Sequence, residues 1–258
     1  EGIDYIVADE YVIPKNQENF YTENIIYLPG SYFPRDNNRI IGKKKFTRNE
    51  LKISENSFVF CNFNNSYKIT LEEFEIWMKL LQKIDNSILL LLETNDEMKK
   101  NLYFEAEKFK INDDRIVFLK KTIFEDHLSR HYLADLFLDT FNYNAHTTAV
   151  DALWTGLPII TKPGNSFSSR VCGSLLKFFD LDELILKNKD EYYNKALELA
   201  ENPHKLKAIK NKIVKHRDSN KHFDPKNYTL NLEKAYKKIH SMRVNENKFE
   251  NIHIKDIE

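Results

Sequence analysis

The chain has 258 residues, with 39 Lys and Arg against 39 Asp and Glu, so its formal net charge is zero. This balance argues against bulk binding of nucleic acid, which requires an excess of basic surface. The longest apolar run, residues 88–92, is far too short to span a membrane, and the composition is that of a soluble globular protein. The two cysteines, Cys61 and Cys172, lack metal-site spacing, so we expect two reduced, packed thiols.

The chain begins without methionine and enters a strand pattern at residues 3–10 almost at once. We therefore interpret it as a fragment of a longer protein, whose own N-terminus and any targeting signal are outside this sequence. A polar segment at 14–21 has some helical tendency, and residues 24–28 predict a second short strand. Residues 31–50 are polar and basic and are predicted to be a linker.

A regular alternation of strands and helices begins at Phe58. Apolar runs predict strands at 58–63, 87–92, 115–120, 135–140, 159–162 and 184–187. Amphipathic segments predict helices at 70–84, 96–110, 125–133, 146–155, 169–179, 189–201, 203–218 and 226–240. Residues 241–258 are polar, and we expect a frayed tail there. Strands separated by helices and short loops predict an α/β fold with a Rossmann-like, doubly wound parallel sheet.

The segment from Asp135 to Thr161 carries the strongest functional signal, because it predicts a strand, a loop, a helix and a second strand. Ligands of parallel α/β sheets bind beyond the carboxyl ends of the strands, and a helix N-terminus there suits a phosphate. His146, Thr147 and Thr148 begin this helix, and the threonines add hydroxyl donors. Asp151 follows three residues later on roughly the same helix face. An ordinary threonine-capped helix is the alternative interpretation.

The loop after the strand at 58–63 contains Asn65 and Lys68. A lysine just beyond a strand end can neutralise a phosphate as a point charge, and Asn65 can add a hydrogen bond. In a lysine-rich chain, a solvated surface lysine is the more common explanation for such a residue considered alone.

The loop after the strand at 115–120 leads into a helix with His127 and Arg130 on one face. An imidazole can pack on a nucleotide base, and a guanidinium can reach the carbonyl groups of the base. A surface or capping histidine is the alternative. His127 and His131 also have the spacing of a metal pair, but no third ligand is evident, so we expect no metal.

Together the three loops should converge at one edge of the sheet and form a nucleoside-diphosphate site. They would supply a lysine, a helix N-terminus, a side chain that packs on a base and a carboxylate for a ribose diol.

The sequence has no GxGxxG, GxxxxGK[ST] or GxSxG motif. A dinucleotide oxidoreductase, a P-loop NTPase and an α/β-hydrolase are therefore disfavoured.

Three segments closely resemble the catalytic region of the protein O-GlcNAc transferase family, which includes SPINDLY-like proteins. They are CNFNNSYKIT, the stretch from RIVFLKKTIFEDHLSRHYLAD through NAHTTAVDALWTGLPIIT to RVCGSLL, and KNYTLNLEKAY. The resemblance implies a two-lobed GT-B type glycosyltransferase fold with the nucleotide-sugar bound mainly by the C-terminal lobe. Residues 1–48 would then be the end of the N-terminal catalytic lobe and a linker, 49–240 the C-terminal lobe and 241–258 a polar tail.

The resemblance implies a role for each residue at the phosphate end of the site. Lys68 matches the family lysine on the diphosphate and is the residue that we expect to act in catalysis. Asn65 stands where a glutamine usually assists that lysine. His146, Thr147 and Thr148 match the helix start that holds the phosphates.

The resemblance also implies roles at the nucleoside end. Thr122 falls at a position that contacts the base through its backbone, and His127 and Arg130 match groups that pack on and bond to the uracil. Asp151 matches the ribose carboxylate. Phe124 is a departure, because the animal enzymes have a lysine near the ribose there, and this leaves the nucleotide's orientation and identity open.

The implied activity is inverting transfer of N-acetylglucosamine from UDP-GlcNAc to Ser or Thr hydroxyls of proteins, without a metal or other cofactor. The full-length protein would be cytoplasmic and carry tetratricopeptide repeats, with neither a nucleic acid nor a membrane as partner. Candidate proton acceptors of the family lie in the earlier lobe, so we expect this chain alone to bind nucleotide weakly and not to turn over. The alternatives are SPINDLY-like O-fucosylation from GDP-fucose, another bacterial protein glucosyltransferase, or a non-catalytic nucleotide-sensing or interaction module.

Overall fold

The computed structural model describes residues 2–219 and 223–256. Its strands are β1 (Tyr5–Ala8), β2 (Asn24–Tyr27), β3 (Phe58–Asn62), β4 (Ser87–Leu92), β5 (Ile116–Leu119), β6 (Leu136–Leu138), β7 (Ile159–Ile160) and β8 (Ile252–His253). Its α-helices are α1 (Leu71–Lys83), α2 (Asp96–Glu107), α3 (Phe124–Arg130), α4 (Thr147–Thr155), α5 (Val171–Phe178), α6 (Lys189–Glu201), α7 (Pro203–Asp218) and α8 (Pro225–Ser241). Among the described residues, no helix has both the length and the apolar character needed to cross a membrane.

The larger sheet has five parallel strands in the order β5-β4-β3-β6-β7. The chain builds outward from β3 through β4 to β5, then returns to the other side of β3 with β6 and β7. Helices connect these strands, so the predicted α/β fold with a doubly wound parallel sheet is confirmed. The point where the strand order reverses lies between β3 and β6, and open α/β sheets bind ligands beyond the carboxyl ends of strands at such a point.

Local sequence explains why these elements begin and end where they do. The strand β4 is an almost continuous run of leucines, as expected for a parallel strand covered on both faces. Thr70 and Glu73 form a reciprocal capping box at the start of α1, which satisfies amide groups that the helix cannot pair internally. Gly156 ends α4 with a φ of +82°, a backbone conformation that glycine adopts without the steric cost of a side chain.

The C-terminal tail differs from the prediction of fraying. The short strand β8 pairs in parallel with β2, and Ile252 and Ile254 are buried. They pack in a small apolar cluster with Ala235 of α8 and with Met242. The alternating pattern at 252–254 is what allows one face of this short strand to be buried. Residues 257 and 258 lie outside the described part of the chain.

Two other predicted elements are shorter than expected. The strand predicted at 184–187 is reduced to a single bridge between Thr161 and Ile185, and the one predicted at 159–162 is limited to the two residues of β7. The helix predicted at 125–133 ends at Arg130 and continues as a turn of 3₁₀-helix. Apolar runs of this length identify buried segments but do not specify how far strand pairing extends.

The predicted linker at 31–50 has no regular structure until a 3₁₀ turn at Asn49–Leu51, yet the structure fixes it against the larger sheet. Arg48 donates to Asp135 Oδ2 at 2.8 Å, just before β6. The Gly42 amide donates to the Glu125 carbonyl at 2.8 Å, at the start of α3. A Cβ at Gly42 would lie 2.9 Å from that carbonyl oxygen, so this close approach requires glycine.

Candidate functional site

A pocket of about 690 Å³ lies at the switch point, beyond the carboxyl ends of β3 and β6. It brings together seven of the nine sequence-predicted site residues: Asn65, Lys68, His127, His146, Thr147, Thr148 and Asp151. The other two, Thr122 and Arg130, line an adjoining cavity of about 280 Å³. His127 and Phe124 line both spaces and therefore connect them. The predicted convergence of the three loops is present in the fold, whereas the individual roles of these residues remain predictions.

Lys68 ends a 3₁₀ turn directly after β3 and projects into the pocket. Its Nζ donates to the Asn144 carbonyl at 3.0 Å and lies 3.8 Å from the centre of the Tyr143 ring. Burial lowers the pKa of Lys68, and the negative charge of Asp139 partly opposes that shift. Among the described residues the ammonium group has one hydrogen-bond acceptor and one aromatic face as partners, so it retains donors for an anion in the pocket.

The N-terminus of α4 faces the same pocket. The amides of Ala149 and Val150 donate to the His146 carbonyl, while the amides of Thr147 and Thr148 have no acceptor within the described residues. Free amides at a helix start carry partial positive charge and suit an anion. His146 lies with its Nε2 3.1 Å from the Ser168 carbonyl, so this nitrogen carries the proton and the ring's Nδ1 is an acceptor.

The hydroxyl of Thr148 is not the free donor that the sequence suggested. It donates to the amide oxygen of Asn64 at 2.6 Å, and thus connects α4 to the loop after β3. Thr147 is exposed and keeps its hydroxyl available. The two threonines therefore have different roles in the structure: Thr148 holds the helix start against β3, and Thr147 faces the pocket.

The buried carboxylate of Asp139 accepts hydrogen bonds within the loop between β6 and α4. This loop contains Asn144, whose carbonyl accepts from Lys68. Asp139 Oδ1 accepts from the amides of Thr140 at 2.8 Å and Ala145 at 2.6 Å, and its Oδ2 accepts from the Thr161 hydroxyl at 2.7 Å. Asn64 Nδ2 lies 3.3 Å from Oδ1. Neither Asp139 nor Asn64 was predicted as a site residue. For Asp139, the sequence signal was an acidic residue at the end of an apolar strand.

Burial raises the pKa of Asp139 to about 6, and the hydrogen bonds from Thr161, Ala145 and Thr140 partly offset this effect. The fully buried group thus keeps a proton more readily in the folded chain than in the unfolded one. The same cause raises the pKa of Asp151 to about 6, although Arg39 forms an ion pair with it.

Replacing Thr148 by valine is expected to lower the free energy of unfolding by about 1–3 kcal/mol, because the Asn64 amide oxygen is left buried without a donor. Thr147→Val is the matched control, since Thr147 is exposed, and it should change stability by less than about 0.5 kcal/mol. Urea unfolding followed by circular dichroism measures both variants. Equal stability of the two variants would contradict the structural role assigned to the Thr148 hydroxyl.

The adjoining cavity is lined by His127 and Arg130, the two residues predicted to contact a base. The His127 ring contacts Phe63 edge-to-face at 5.4 Å between centroids, and burial lowers the pKa of His127 to about 4. The ring is therefore neutral at physiological pH and suited to packing on a base. Arg130 is buried, lies 5.0 Å from the ring centre of Phe46 and donates to the Lys120 carbonyl, so part of its guanidinium already holds the cavity wall together.

The second of the two histidines that have the spacing of a metal pair, His131, is packed inside the protein. His131 is fully buried, with Nδ1 3.0 Å from the His127 carbonyl, and burial lowers the pKa of His131 to about 3. In residues 2–219 and 223–256, no group of three or more His, Cys, Asp or Glu side chains is arranged to hold a metal ion. Cys61 and Cys172 are both buried free thiols, and burial raises the pKa of each well above its ordinary value.

Comparison with protein families identifies the group to which this site belongs. The family model described as glycosyl transferase family 41 matches residues 44–232. The chain belongs to glycosyl transferase family 41. The match includes every residue that lines the two cavities except Phe33 and Arg39. The expected resemblance to the protein O-GlcNAc transferase family is thus confirmed.

Curated relatives of this family 41 chain include plant and animal proteins. A probable UDP-N-acetylglucosamine–peptide N-acetylglucosaminyltransferase of Arabidopsis thaliana, SEC, is 35% identical over 245 residues, which is 92% of this chain and 25% of the relative. The Caenorhabditis elegans UDP-N-acetylglucosamine–peptide N-acetylglucosaminyltransferase is 35% identical over 187 residues, or 72% of this chain and 16% of that protein. A probable enzyme of the same description from Solanum lycopersicum, SPINDLY, is 27% identical over 242 residues, 92% of this chain and 26% of the relative.

Solved structures extend the family 41 comparison to the fold. A mutant O-GlcNAc transferase from Thermobaculum terrenum superimposes with a TM-score of 0.80 at 26% identity, covering 92% of this chain and 45% of that one. Sucrose-phosphate synthase from Thermosynechococcus elongatus has a TM-score of 0.65 at 12% identity, covers 92% and 59% of the two chains, and supports the fold alone. The predicted fold class, the C-terminal lobe of a GT-B type glycosyltransferase, is confirmed. The chain spans about a quarter or less of the curated relatives' length.

Proposed function

We propose that this chain is the donor-binding part of an inverting protein O-GlcNAc transferase, which transfers N-acetylglucosamine from UDP-GlcNAc to Ser or Thr hydroxyls. The observation that carries the proposal is the approach of the Lys68 ammonium and the α4 N-terminus to one pocket at the switch point of the sheet. This combination offers a full positive charge and free amides to a diphosphate. The names of the relatives supply the donor and the acceptor class.

The proposed reaction is a direct displacement at the anomeric carbon of the sugar. The acceptor hydroxyl forms the new glycosidic bond, loses its proton to a base, and UDP leaves with the electrons of the broken bond. Negative charge therefore grows on the diphosphate during the reaction. Lys68 and the amides of Thr147 and Thr148 would stabilise that charge from fixed positions, which lowers the barrier without reorganisation. We propose that no metal ion participates in this stabilisation.

The smaller cavity, of about 280 Å³, is the proposed site of the nucleoside base. His127 stands between the two spaces, Phe124 is 47% exposed at their boundary, and Arg130 is held by Phe46 and the Lys120 carbonyl. The names of the relatives carry a uridine donor, UDP-N-acetylglucosamine. We therefore propose uridine, rather than guanosine, as the nucleoside of the donor.

Calorimetric titration of the chain with UDP and with GDP tests this proposal. We expect UDP to bind at least about tenfold more tightly, a difference of about 1.4 kcal/mol in binding free energy. A preference for GDP would move the assignment to SPINDLY-like fucosyl transfer from GDP-fucose. Failure of both nucleotides to bind would contradict a donor-binding role and favour a non-catalytic interaction module.

The remainder of the enzyme is also part of the proposal. The curated relatives are about four times as long as the region they share with this chain, which leaves room for an N-terminal catalytic lobe and a tetratricopeptide repeat region. We propose that the earlier lobe supplies the proton acceptor and part of the acceptor-peptide groove, so the 258-residue chain binds donor nucleotide but does not transfer sugar. A cytoplasmic location for the complete protein is proposed on the same resemblance.

A further inference from the structure

Arg39, a residue of the predicted linker, reaches into the pocket and forms an ion pair with Asp151 on α4. The two residues are 112 positions apart in sequence. Their side chains are only 12% and 6% exposed, so this is a largely desolvated pair and not a surface contact. The pair joins the segment before the larger sheet to the carboxylate expected at the ribose.

The backbone around Arg39 is fixed at both ends of a short segment, residues 39–42, which we call the Arg39 strap. The Arg39 carbonyl accepts a hydrogen bond from Trp154 Nε1 at 3.0 Å, which attaches the strap to α4. The Gly42 amide donates to the Glu125 carbonyl, which attaches it to α3. The guanidinium carbon lies 5.7 Å from the centre of the Phe124 ring. The strap thus delivers a cation to a defined position at the edge of the pocket.

The hydrogen bonding of the pair is incomplete. Arg39 Nε is buried and has no hydrogen-bond partner in the described part of the chain. Asp151 Oδ1 accepts from Arg39, while Oδ2 accepts no hydrogen bond from any described residue. A pair retained for stability alone would satisfy Arg39 Nε, because an unsatisfied buried polar group is costly. The free Oδ2 of a pocket-lining carboxylate is an acceptor for a ligand hydroxyl.

Burial disfavours the ionised form of Asp151, and Arg39 is the group that opposes this effect. Burial raises the pKa of Asp151, and the Arg39 charge and hydrogen bond oppose that effect. Other charged or titratable groups line the pocket or lie on the elements around it: Lys68 and Tyr67 after β3, Glu125, Asp126 and His127 on α3, Tyr143 and His146 before α4, and Arg217 on α7, which donates to the Trp154 carbonyl. Arg39 is the group in direct contact with the carboxylate.

We propose that Arg39 is a positioning residue that keeps Asp151 ionised and turned so that Oδ2 receives the ribose hydroxyls of the bound nucleotide. This inference rests on the proposed function, because it assigns a specificity role within the same site. Arg39 lies outside the matched family region, and it acts through Asp151 rather than on the reacting atoms. Without the guanidinium, Asp151 would take up a proton near neutral pH. The protonated carboxyl group would no longer favour accepting hydrogen bonds from two ribose hydroxyls.

The variants Arg39→Met and Arg39→Lys test the inference, with Arg48→Met as the matched control. Arg48 belongs to the same predicted linker and also forms a largely buried ion pair, with Asp135, but it lies outside the pocket. Arg48 also donates to the carbonyls of Leu133, Glu55 and Ser57, so its loss should disturb this segment at least as much as the loss of Arg39. Arg39→Lys retains a cation beside Asp151 and should rescue the function.

The first readout requires no ligand. The ¹³C chemical shift of the Asp151 carboxyl carbon, followed against pH, should give a pKa about one unit or more higher in Arg39→Met than in wild type. Arg48→Met should not change the pKa of Asp151. An unchanged Asp151 pKa in Arg39→Met would overturn the inference, whatever the outcome of nucleotide binding.

The second readout compares the binding of UDP and 2′,3′-dideoxy-UDP at pH 7.5. Wild type, Arg39→Lys and Arg48→Met should prefer UDP by about tenfold, the value expected for hydrogen bonds to a charged acceptor. Arg39→Met should bind the two compounds almost equally. A preference that persists in Arg39→Met overturns the ribose role while the proposed function stands. Absence of UDP binding by wild type overturns both the proposed function and the ribose role.

Discussion

Lys68→Ala is expected to weaken binding of UDP by about 10- to 100-fold and to leave binding of uridine unchanged. The ammonium group is the full positive charge expected at the diphosphate, and it is held by the Asn144 carbonyl and the Tyr143 ring on the pocket wall. Its removal takes away charge-assisted hydrogen bonds that only a phosphorylated ligand can form. Calorimetric titration with both ligands measures the difference, and in the full-length enzyme the same change should reduce kcat.

Lys99→Ala is the control for this comparison. Lys99 is also partly buried and lies 5.8 Å from the centre of an aromatic ring, Phe118, but it is on α2 and outside the pocket. It should not alter either affinity. Equal losses for UDP and uridine in Lys68→Ala would indicate a damaged pocket rather than a lost phosphate contact, and unchanged UDP affinity would show that the diphosphate binds elsewhere.

Asp139→Asn is expected to be the most disruptive conservative change in the chain, with a loss of about 1–3 kcal/mol in the free energy of unfolding at pH 7. The carboxylate accepts from the amides of Thr140 and Ala145 and from the Thr161 hydroxyl. A carboxamide presents an N–H₂ group toward one of these donors and leaves it unpaired. Because the same bonds fix the loop before α4, UDP binding should weaken as well. Asp113→Asn, at an exposed turn, is the control.

The pH dependence of this effect has a defined sign. The folded pKa of Asp139, about 6, lies above the ordinary value of 3.8, so the folded state binds the proton more tightly. The stability contributed by this proton is fully present below about pH 3.8 and is lost as the pH rises through about 6. The difference in free energy of unfolding between wild type and Asp139→Asn should therefore be largest near pH 4. It should decrease by up to about 3 kcal/mol by pH 7. A constant difference between pH 4 and 7 would contradict the assigned pKa of Asp139.

The sequence was sufficient to predict the features of the site that depend on local pattern. Lys68 follows an apolar strand, and the threonines at 147 and 148 follow a polar loop, so their placement at strand ends and at a helix start could be inferred. The parallel sheet then brings these ends to one edge. The residue pattern also suggested that His127 packs on a base and that Asp151 binds a ribose, and the resemblance to a family implies the same two roles.

The features that the sequence did not reveal depend on contacts between distant residues. Arg39 looks like one basic residue among many in a polar segment, and only folding places it beside Asp151. Asp139 ends a strand pattern, and its importance lies in hydrogen bonds to donors on three separate loops. The pairing of β8 with β2 joins Ile26 and Ile252, which are 226 positions apart. The strand in the polar tail could therefore not be predicted from its local sequence. Such pairings are decided by burial in the complete fold, not by local propensity.

The central claim is that the pocket between β3 and β6 binds the diphosphate of a uridine nucleotide. A crystal structure of this chain with UDP tests it most directly. We predict phosphate oxygens within hydrogen-bonding distance of Lys68 Nζ and of the amides of Thr147 and Thr148, with the uracil beside His127. UDP bound away from these groups, for example in the groove between α1 and α6 that Lys79 and Lys189 line, would contradict the claim.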